Sequence, residues 1–194
     1  RVKNLAYDKQ VAIWHKLADG TWVEVPCTFS RTADAGYEIW TGSTSCYNSS
    51  LYDTRFCVKA TMNGQTFWDN NGGADYVMGH NDGVLLGSGV NVMLNSAWRG
   101  TASVSGGIDL RNIAYSKSVQ VVWTADNWAT QSVTDASFVS SYSYGYAFVQ
   151  SPNALGIERW IFTLNTSASI KFYIRYTVNG KTYYDNNFGA DYSR

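Results

Sequence analysis

Asn179-Gly180-Lys181-Thr182-Tyr183-Tyr184-Asp185-Asn186-Asn187 is the stretch that decides the fold of the residues around it. Its Asn-Gly pair favours a two-residue hairpin turn, because both residues accept the positive φ that such a turn requires. The run before it, residues 171–178, alternates between apolar and polar side chains, which is the period of a half-buried β-strand. Together they predict a β-hairpin whose apolar face carries Phe172, Ile174, Tyr176 and Val178.

An aromatic pair and a polar run follow this turn, namely Tyr183-Tyr184 and Asp185-Asn186-Asn187. Aromatic faces beside fixed amides suit a sugar, because the apolar face of a pyranose stacks on a ring while its hydroxyls need donors and acceptors in fixed places. The stretch therefore indicates a glycan-binding surface.

The same stretch occurs earlier in the chain, as Asn63-Gly64-Gln65-Thr66-Phe67-Trp68-Asp69-Asn70-Asn71. Residues 2–9 likewise match residues 110–117, with Tyr7 and Tyr115 at equivalent places. The copies are roughly 110 residues apart, which is the size of a small domain and exceeds the repeat of a solenoid or propeller. We therefore predict two modules, residues 1–88 and 89–194.

The junction between the modules raises a question about the first strand of each. Residues 90–94 alternate and are expected to form the leading strand of the second module. The corresponding strand of the first module is either missing or supplied by Val84-Leu85-Leu86. An unpaired sheet edge is an aggregation hazard, which favours the second alternative.

Short runs with turn residues between them fill both modules. Strands are predicted at residues 11–14, 23–29, 37–42, 56–62 and 66–69, and again at 119–123, 132–138, 144–149, 159–164, 172–178 and 181–185. No segment carries a 3.6-residue apolar period over ten residues, so we predict an all-β chain of two antiparallel β-sandwich modules in tandem. Trp22 and Trp128 follow polar turns at equivalent places, and we expect both indoles to be exposed.

The charge balance excludes several function classes. The formal net charge is zero and only 15% of residues are charged, so no basic stripe is available for nucleic acid. No apolar run is long enough to span a membrane. His15 and His80 are isolated, so we expect no metal site and no cofactor. Aromatic residues make up 15% of the chain, which is typical of glycan-binding proteins, although tyrosine and tryptophan also serve as strand formers.

The cysteines and sequons bear on the compartment. Cys27, Cys46 and Cys57 are an odd set, which fits three thiols or one disulfide, either Cys46–Cys57 or Cys27–Cys46. Two Asn-x-Ser/Thr sequons begin at Asn48 and Asn165 in polar segments. We expect a secreted glycoprotein on this basis.

The repeated strings resemble carbohydrate-binding module family 21. In the second copy the resemblance is to starch-binding domains, and it lies in Ile113-Ala114-Tyr115-Ser116-Lys117, Asp126-Asn127-Trp128, Lys171-Phe172-Tyr173-Ile174 and Tyr183-Tyr184-Asp185-Asn186-Asn187. In the first copy, Arg55-Phe56-Cys57-Val58 and Asn63 to Asn71 look more like the module of glycogen-targeting phosphatase subunits. The resemblance implies an immunoglobulin-like β-sandwich with two glucan-binding sites in each module.

We call the first of these the hairpin site. The resemblance implies that in the second module it consists of Trp128, Tyr173 and Tyr184, with Asn186 and Asn187 as partners of sugar hydroxyls. The equivalent residues of the first module are Trp22, Cys57 and Trp68, with Asn70 and Asn71. Cys57 removes one stacking ring from that copy.

We call the second the tyrosine site. The resemblance implies that it uses Tyr7, Phe29 and Tyr37 in the first module, and Tyr115 and Phe138 in the second. Ile157 stands where the third ring of the second module is expected, and Tyr146 or Phe148 is a candidate substitute. The two copies are therefore expected to be complementary, each stronger at a different site.

The function implied is non-catalytic binding of α-glucan, such as starch, glycogen or maltooligosaccharides, by stacking and amide hydrogen bonds, with avidity from two modules. The alternative is a lectin or targeting module of the same fold that recognises another glycan, such as a β-glucan. An enzyme is not expected, because glycoside hydrolysis needs two carboxylates across one bond, whereas Asp69 and Asp185 recur singly. Each aspartate either caps a turn or contacts sugar.

Overall fold

The computed structural model describes residues 1–44, 54–79, 81–145 and 147–194. Cys46, Asn48, His80 and Tyr146 lie outside the described residues, so the predictions that concern them are not addressed by the structure. The described residues form β-strands, turns and two short 3-10 segments, and they contain no α-helix. The predicted all-β class is therefore confirmed.

Contacts divide the chain into two compact units, residues 1–81 and 82–194. The predicted boundary after residue 88 stays a prediction. Residues 84–86 form no strand. They belong to the second unit, where Val84 and Leu86 pack against Ile157.

The described residues of the first unit form eight strands. They are β1 (Val2–Lys3), β2 (Lys9–Lys16), β3 (Trp22–Pro26), β4 (Thr28–Thr32), β5 (Tyr37–Thr41), β6 (Thr54–Met62), β7 (Gln65–Asp69) and β8 (Tyr76–Met78). One sheet has the order β1-β5-β4, and the other has the order β3-β2-β6-β7 with β8 also paired to β6. All pairings are antiparallel.

Eleven strands lie in the part of the second unit that the structure describes. They are β9 (Val92–Arg99), β10 (Val104–Arg111), β11 (Lys117–Thr124), β12 (Ser132–Asp135), β13 (Ser137–Val139), β14 (Ser141–Tyr144), β15 (Ala147–Gln150), β16 (Ile157–Leu164), β17 (Lys171–Val178), β18 (Lys181–Asp185) and β19 (Tyr192–Ser193). One sheet has the order β13-β16-β10-β9, and the other has β12-β11-β17-β18 with β19 paired to β17. Strands β14 and β15 form a separate hairpin.

The core of the second unit lies between its two large sheets, as in a β-sandwich. Ile108 and Leu110 of β10 are buried with Val121 of β11 and with Phe172 and Ile174 of β17. The alternation read from residues 171–178 is therefore the alternation of burial along β17. Full burial of side chains this large supplies most of the favourable free energy of folding.

The corresponding interior of the first unit is less well covered. A cavity of about 700 Å³ is lined by Val11, Ile13, Val58 and Ala60 on one side and by Trp40 on the other. Strand β1 pairs with β5 over only two residues, whereas β10 pairs with β16 over its whole length and carries β9 on its other edge.

The two Asn-Gly turns have the predicted backbone. Asn63 and Gly64 have φ of 49° and 69°, and Asn179 and Gly180 have φ of 50° and 71°. Each turn joins the central strand of its sheet to the edge strand that follows, β6 to β7 and β17 to β18.

Several predicted strands are divided in the structure. Residues 23–29 and 132–138 each form two strands, because the chain leaves one sheet and enters the other at Cys27 and at Ala136. The backbone N–H groups at these crossings donate to Val11 and Val119 respectively, at 2.7 and 2.8 Å. Residues 144–149 also form no single strand, since a turn at Gly145 separates β14 from β15.

The sequence reading missed most of strand β10 and shortened β9. Gly106 lies inside β10, where a Cβ would collide with the Ser96 carbonyl oxygen and with the Phe162 ring. The close approach of neighbouring backbone and ring explains why a weak strand former occupies this position.

Candidate functional site

The hairpin site of the second unit collects three rings from three elements. Tyr173 lies on the outer face of β17, Tyr184 lies on β18, and Trp128 lies in the loop after β11. The ring centroids of Trp128 and Tyr173 are 5.5 Å apart with an interplanar angle of 37°, and those of Tyr173 and Tyr184 are 6.1 Å apart with an angle of 60°. The rings therefore form an angled set on one surface, in which Tyr184 is 60% exposed.

The expectation for the two loop tryptophans holds only in part. Trp128 lies in a turn, as expected, but its side chain is half-buried because it packs against Tyr173. Trp22 lies at the start of β3 rather than in a turn, and it is half-buried as well. An isolated turn would leave the indole in water, whereas the neighbouring strand gives it a surface to cover.

The loop that carries Trp128 is held by a carboxylate cap. The Asp126 carboxylate accepts hydrogen bonds from the Thr124 hydroxyl at 2.7 Å, from the Thr130 N–H at 2.9 Å and from the Thr130 hydroxyl at 2.6 Å. The Thr124 hydroxyl in turn accepts from the Trp128 N–H at 3.0 Å. These bonds, first among them that from the Thr130 hydroxyl, lower the pKa of Asp126 to about 2.

The indole of Trp128 is oriented by Asp191. Its Nε1–H donates to Asp191 Oδ2 at 2.9 Å. Asp191 has a positive φ of 54° and donates its own N–H to the Asn186 carbonyl at 2.8 Å. Sequence reasoning did not single out Asp126 or Asp191 as positioning residues, because their partners are fixed only by the loop conformations.

The paired amides brace the loop after the hairpin. Asn186 Oδ1 accepts from the Gly189 N–H at 3.0 Å, and Asn187 Nδ2 donates to the Asp191 carbonyl at 2.9 Å. The first unit repeats both bonds, with Asn70 Oδ1 accepting from Gly73 and Asn71 Nδ2 donating to Asp75. These amides therefore shape the loop, and their role as partners of sugar hydroxyls stays a prediction.

Asp69 and Asp185 act as anchors within their units. Asp185 accepts from the Tyr192 hydroxyl at 2.8 and 2.9 Å and from the Leu94 N–H at 2.6 Å, which ties the end of β18 to β9. Asp69 accepts from the Tyr76 hydroxyl at 2.7 Å. Asp185 also accepts from the Asn187 N–H at 3.2 Å, which is the bond of a turn cap, while sugar contact by either aspartate stays a prediction.

The hairpin site of the first unit is built differently from the one in the second. Cys57 is buried, and Trp68 of β7 is 47% exposed. The ring that meets Trp68 belongs to Trp14 of β2, with centroids 5.6 Å apart and an interplanar angle of 84°. Sequence reasoning treated Trp14 only as part of a strand.

The tyrosine site of the first unit surrounds a shallow pocket of about 540 Å³. Tyr7 is 98% exposed at its rim, and Phe29 packs edge-on against Trp40 with centroids 5.9 Å apart. Tyr37 is half-buried beneath Arg1, whose guanidinium carbon lies 3.9 Å from the ring centroid. Tyr7 and Phe29 thus share the pocket, while Tyr37 stands against a cation.

The tyrosine site of the second unit has two exposed rings. Tyr115 is fully exposed, and Phe138 packs edge-on against Trp160 at 5.9 Å. Ile157 is buried against Val84 and Leu86, so it contributes no surface to the site. Phe148 is largely exposed on β15, and Tyr146 lies outside the described residues.

A duplicated polar network lies beneath both tyrosine sites. Lys9 Nζ donates to Asn4 and Glu38 at 2.8 and 2.9 Å, and Trp40 Nε1 donates to the other oxygen of Glu38 at 2.9 Å. The second unit repeats the network: Lys117 Nζ donates to Asn112 at 2.6 Å and to Glu158 at 2.7 Å, and Trp160 Nε1 donates to the other oxygen of Glu158 at 2.9 Å. A lysine this well buried needs a carboxylate partner, so the network fixes the tryptophan on which each phenylalanine rests.

Other site types find little support among the described residues. No group of three His, Cys, Asp or Glu side chains in that part of the chain is placed to hold a metal ion. No helix of the described ranges is both long and apolar enough to cross a membrane. Cys27 and Cys57 are free thiols, and burial raises the pKa of each.

Two of the curated proteins that are similar to this chain each match about half of its length. Glucoamylase 1 of Rhizopus oryzae is 37% identical over 107 residues, which cover 54% of this chain and 16% of that protein. Protein phosphatase 1 regulatory subunit 3E of Mus musculus is 30% identical over 105 residues, which cover 53% of this chain and 34% of that protein. The chain thus matches only a minor part of each relative's length.

A solved structure is also similar, namely the starch-binding domain of Rhizopus oryzae glucoamylase in complex with β-cyclodextrin and maltoheptaose. It is 37% identical, with 57% of this chain and 98% of that chain covered and a TM-score of 0.46. The sequence model of the carbohydrate/starch-binding module (family 21) matches residues 1–79 and 87–193. Since these two segments account for nearly the whole sequence, the chain belongs to carbohydrate/starch-binding module family 21.

Proposed function

We propose that this chain binds α-glucan without catalysing its cleavage, and that both units contribute. The observation that carries the proposal is the angled set of Trp128, Tyr173 and Tyr184 on one surface of the second unit. Chains of α-linked glucose curve, so rings set at an angle follow them better than a flat strip of rings does. Membership of the carbohydrate/starch-binding module family supports an α-glucan over another glycan.

The expected affinity of one site is modest. Each stacked glucose buries little apolar area and exchanges water for a few protein hydrogen bonds, so a single site is expected to have a Kd between about 1 mM and about 10 μM. Two units that reach one polymer make the second contact intramolecular, with an avidity gain of about 10² to 10⁴. The tyrosine sites of both units add further contacts to the same polymer.

The proposal includes the absence of catalysis and the secretion of the chain. The recurring Asp69 and Asp185 each accept a hydrogen bond from a tyrosine hydroxyl of the same unit, which supports a structural role for these carboxylates over a catalytic one. Asn165 is exposed in the loop after β16, which supports its use as a glycosylation site in a secreted protein.

The deciding experiment measures binding of the whole chain to insoluble starch, glycogen and laminarin side by side. Retention on starch and glycogen, but not on the β-glucan laminarin, is the expected result. Equal or stronger retention on laminarin would transfer the proposal to β-glucans, and no retention on any of the three would refute glycan binding of this class. Release of reducing sugar during the incubation would refute the non-catalytic part.

A further inference from the structure

Trp14 occupies a place that the second unit gives to an aliphatic residue. In the first unit, Trp14 of β2 pairs with Cys57 of β6, and in the second Val122 of β11 pairs with Tyr173 of β17. The next strands agree as well, since Lys59 pairs with Trp68 where Arg175 pairs with Tyr184. The large ring of this cross-strand pair is therefore on β2 in the first unit, with the small Cys57 on β6. In the second unit the ring is on β17, with the small Val122 on β11.

Both arrangements keep an angled pair of rings. Trp14 and Trp68 meet edge to face at 5.6 Å and 84°, and Tyr173 and Tyr184 meet at 6.1 Å and 60°. Val122 is fully buried, whereas Trp14 is half-buried with Trp68 exposed beside it. Two indoles at a steep angle suit a bent oligosaccharide better than two coplanar rings do.

Charged groups frame this pair of indoles. Glu24 Oε2 accepts from Trp14 Nε1 at 2.7 Å and from Lys59 Nζ at 3.1 Å. Lys59 Nζ also lies 5.3 Å from the Trp14 ring and 5.9 Å from the Trp68 ring. The bond from Lys59, followed by that from Trp14, lowers the pKa of the Glu24 carboxyl, so the group is an anionic acceptor at neutral pH. Carboxylate oxygens and an ammonium beside the rings are suitable partners for sugar hydroxyls.

We propose that Trp14, together with Trp68, Glu24 and Lys59, forms a rebuilt α-glucan-binding site on the first unit. The inference rests on the proposed function, and it assigns the missing ring of this unit to Trp14. Cys57 lies buried on the strand opposite, where it leaves room for the larger indole.

The test uses the full chain with the other proposed sites weakened. The background carries Trp128→Ala and Tyr184→Ala at the second hairpin site, and Tyr7→Ala and Tyr115→Ala at the two tyrosine sites, where both tyrosine rings are almost wholly in solvent. Maltoheptaose binding by this background is measured calorimetrically. We expect weak binding that Trp14→Val lowers by about tenfold, which corresponds to the loss of one stacked ring.

A matched control and a rescue separate binding from structure. Phe67→Ala removes a ring from the opposite face of β7 and is expected to change the affinity less than about twofold. The pair Trp14→Val with Cys57→Tyr copies the arrangement of the second unit, and it is expected to restore most of the affinity. If the indole served only to fill this space, Trp14→Val with Cys57→Leu would restore the affinity as well, because leucine refills the space without a stacking ring.

A measurement on the unmutated chain covers the case in which Trp14→Val unfolds the first unit. Addition of maltoheptaose to ¹⁵N-labelled protein is expected to shift the indole Nε1–H resonance of Trp14 and to broaden that of Trp68. An unshifted Trp14 resonance at saturating sugar would overturn the inference. Complete loss of maltoheptaose binding in the four-substitution background, with good binding by the wild-type chain, would also overturn the inference. If the wild-type chain itself does not bind, the proposed function is refuted.

Discussion

The indole Nε1–H of Trp128 donates a 2.9 Å hydrogen bond to the carboxylate of Asp191, which lies 63 positions later in the chain. The bond joins the loop after β11 to the loop after β18, and these two loops flank the central strand that carries Tyr173. The ring arrangement is thus fixed before any ligand arrives, which lowers the conformational entropy lost on binding.

Removal of the acceptor for the indole tests this preorganisation. Asp191→Ala frees the Trp128 ring, and we expect maltoheptaose to bind about tenfold more weakly to the second unit, because the ring must be ordered on binding. Asp191→Asn keeps an oxygen acceptor and is expected to bind within about threefold of the wild-type chain. Calorimetry with both variants checks the result, and equal affinities for all three proteins would contradict the role given to Asp191.

Removal of the rings themselves is expected to have the larger effect. Trp128→Ala and Tyr184→Ala each take away a stacking surface on the second unit, and each is expected to lower retention on starch while far-ultraviolet circular dichroism stays unchanged. Tyr184→Phe keeps the ring and serves as the control. Undiminished retention by an isolated second unit that carries Trp128→Ala would defeat the assignment of this site.

Acid is expected to loosen the loop that carries Trp128. Hydrogen bonds from Thr130 and Thr124 lower the pKa of Asp126 in the folded protein to about 2, from an ordinary value of 3.8. The folded pKa is the lower one, so the stabilising contribution is complete above pH 3.8 and is lost as the pH falls through about 2. Titration of the Asp126 carboxyl and of the Thr130 amide by NMR should show a common midpoint near pH 2. A midpoint near 4 would mean that the cap does not form, and Asp126→Asn should abolish the transition.

The parts of the fold that depend on neighbouring residues could be predicted from the sequence. Both Asn-Gly turns have positive φ at their two central residues, as local chemistry requires. Burial along β17 follows the alternation of apolar and polar residues in its sequence, because every second side chain, from Phe172 to Val178, faces the interior of the sandwich. The sheet to which each strand belongs depends on residues far away in the sequence. The sequence therefore did not predict that the chain changes sheet at Cys27 and Ala136, because the alternation continues through both positions.

The candidate sites show the same division. The family resemblance pointed to Trp128, Tyr173, Tyr184 and Trp68, and the structure brings the first three together. The partner of Trp68 was missed, because Trp14 belongs to a strand that pairs with β6 from the opposite side to β7. A comparison of the two repeats at this position, valine in one and tryptophan in the other, is the signal that would have found it.

The buried ion pair of the second unit offers a test of what holds the sandwich together. Arg159 donates from Nε to Asp109 Oδ1 at 2.5 Å and from Nη2 to Asp109 Oδ2 at 3.2 Å. The guanidinium carbon of Arg159 lies 4.1 Å from the Tyr142 ring centroid. Asp109 is fully buried, and it also accepts from the Asn95 amide at 2.9 Å. The pair therefore lies beneath the β14–β15 hairpin, to which Tyr142 belongs.

Removal of one partner should be far more costly than removal of both. Arg159→Ala leaves a buried carboxylate unpaired and is expected to lower the free energy of unfolding of the second unit by about 3–5 kcal/mol, whereas Asp109→Leu with Arg159→Met is expected to be within about 2 kcal/mol of the wild-type chain. The exposed pair Arg1–Asp34, at 3.1 Å, is the control, and Asp34→Ala should cost less than about 1 kcal/mol. Hydrogen exchange of the β17 amides in urea reports the stability of the second unit, and exchange of the β2 amides reports the Asp34→Ala control in the first unit. A loss below 1 kcal/mol for Arg159→Ala would show that water reaches the site, because only a solvated carboxylate tolerates the loss of its partner so cheaply.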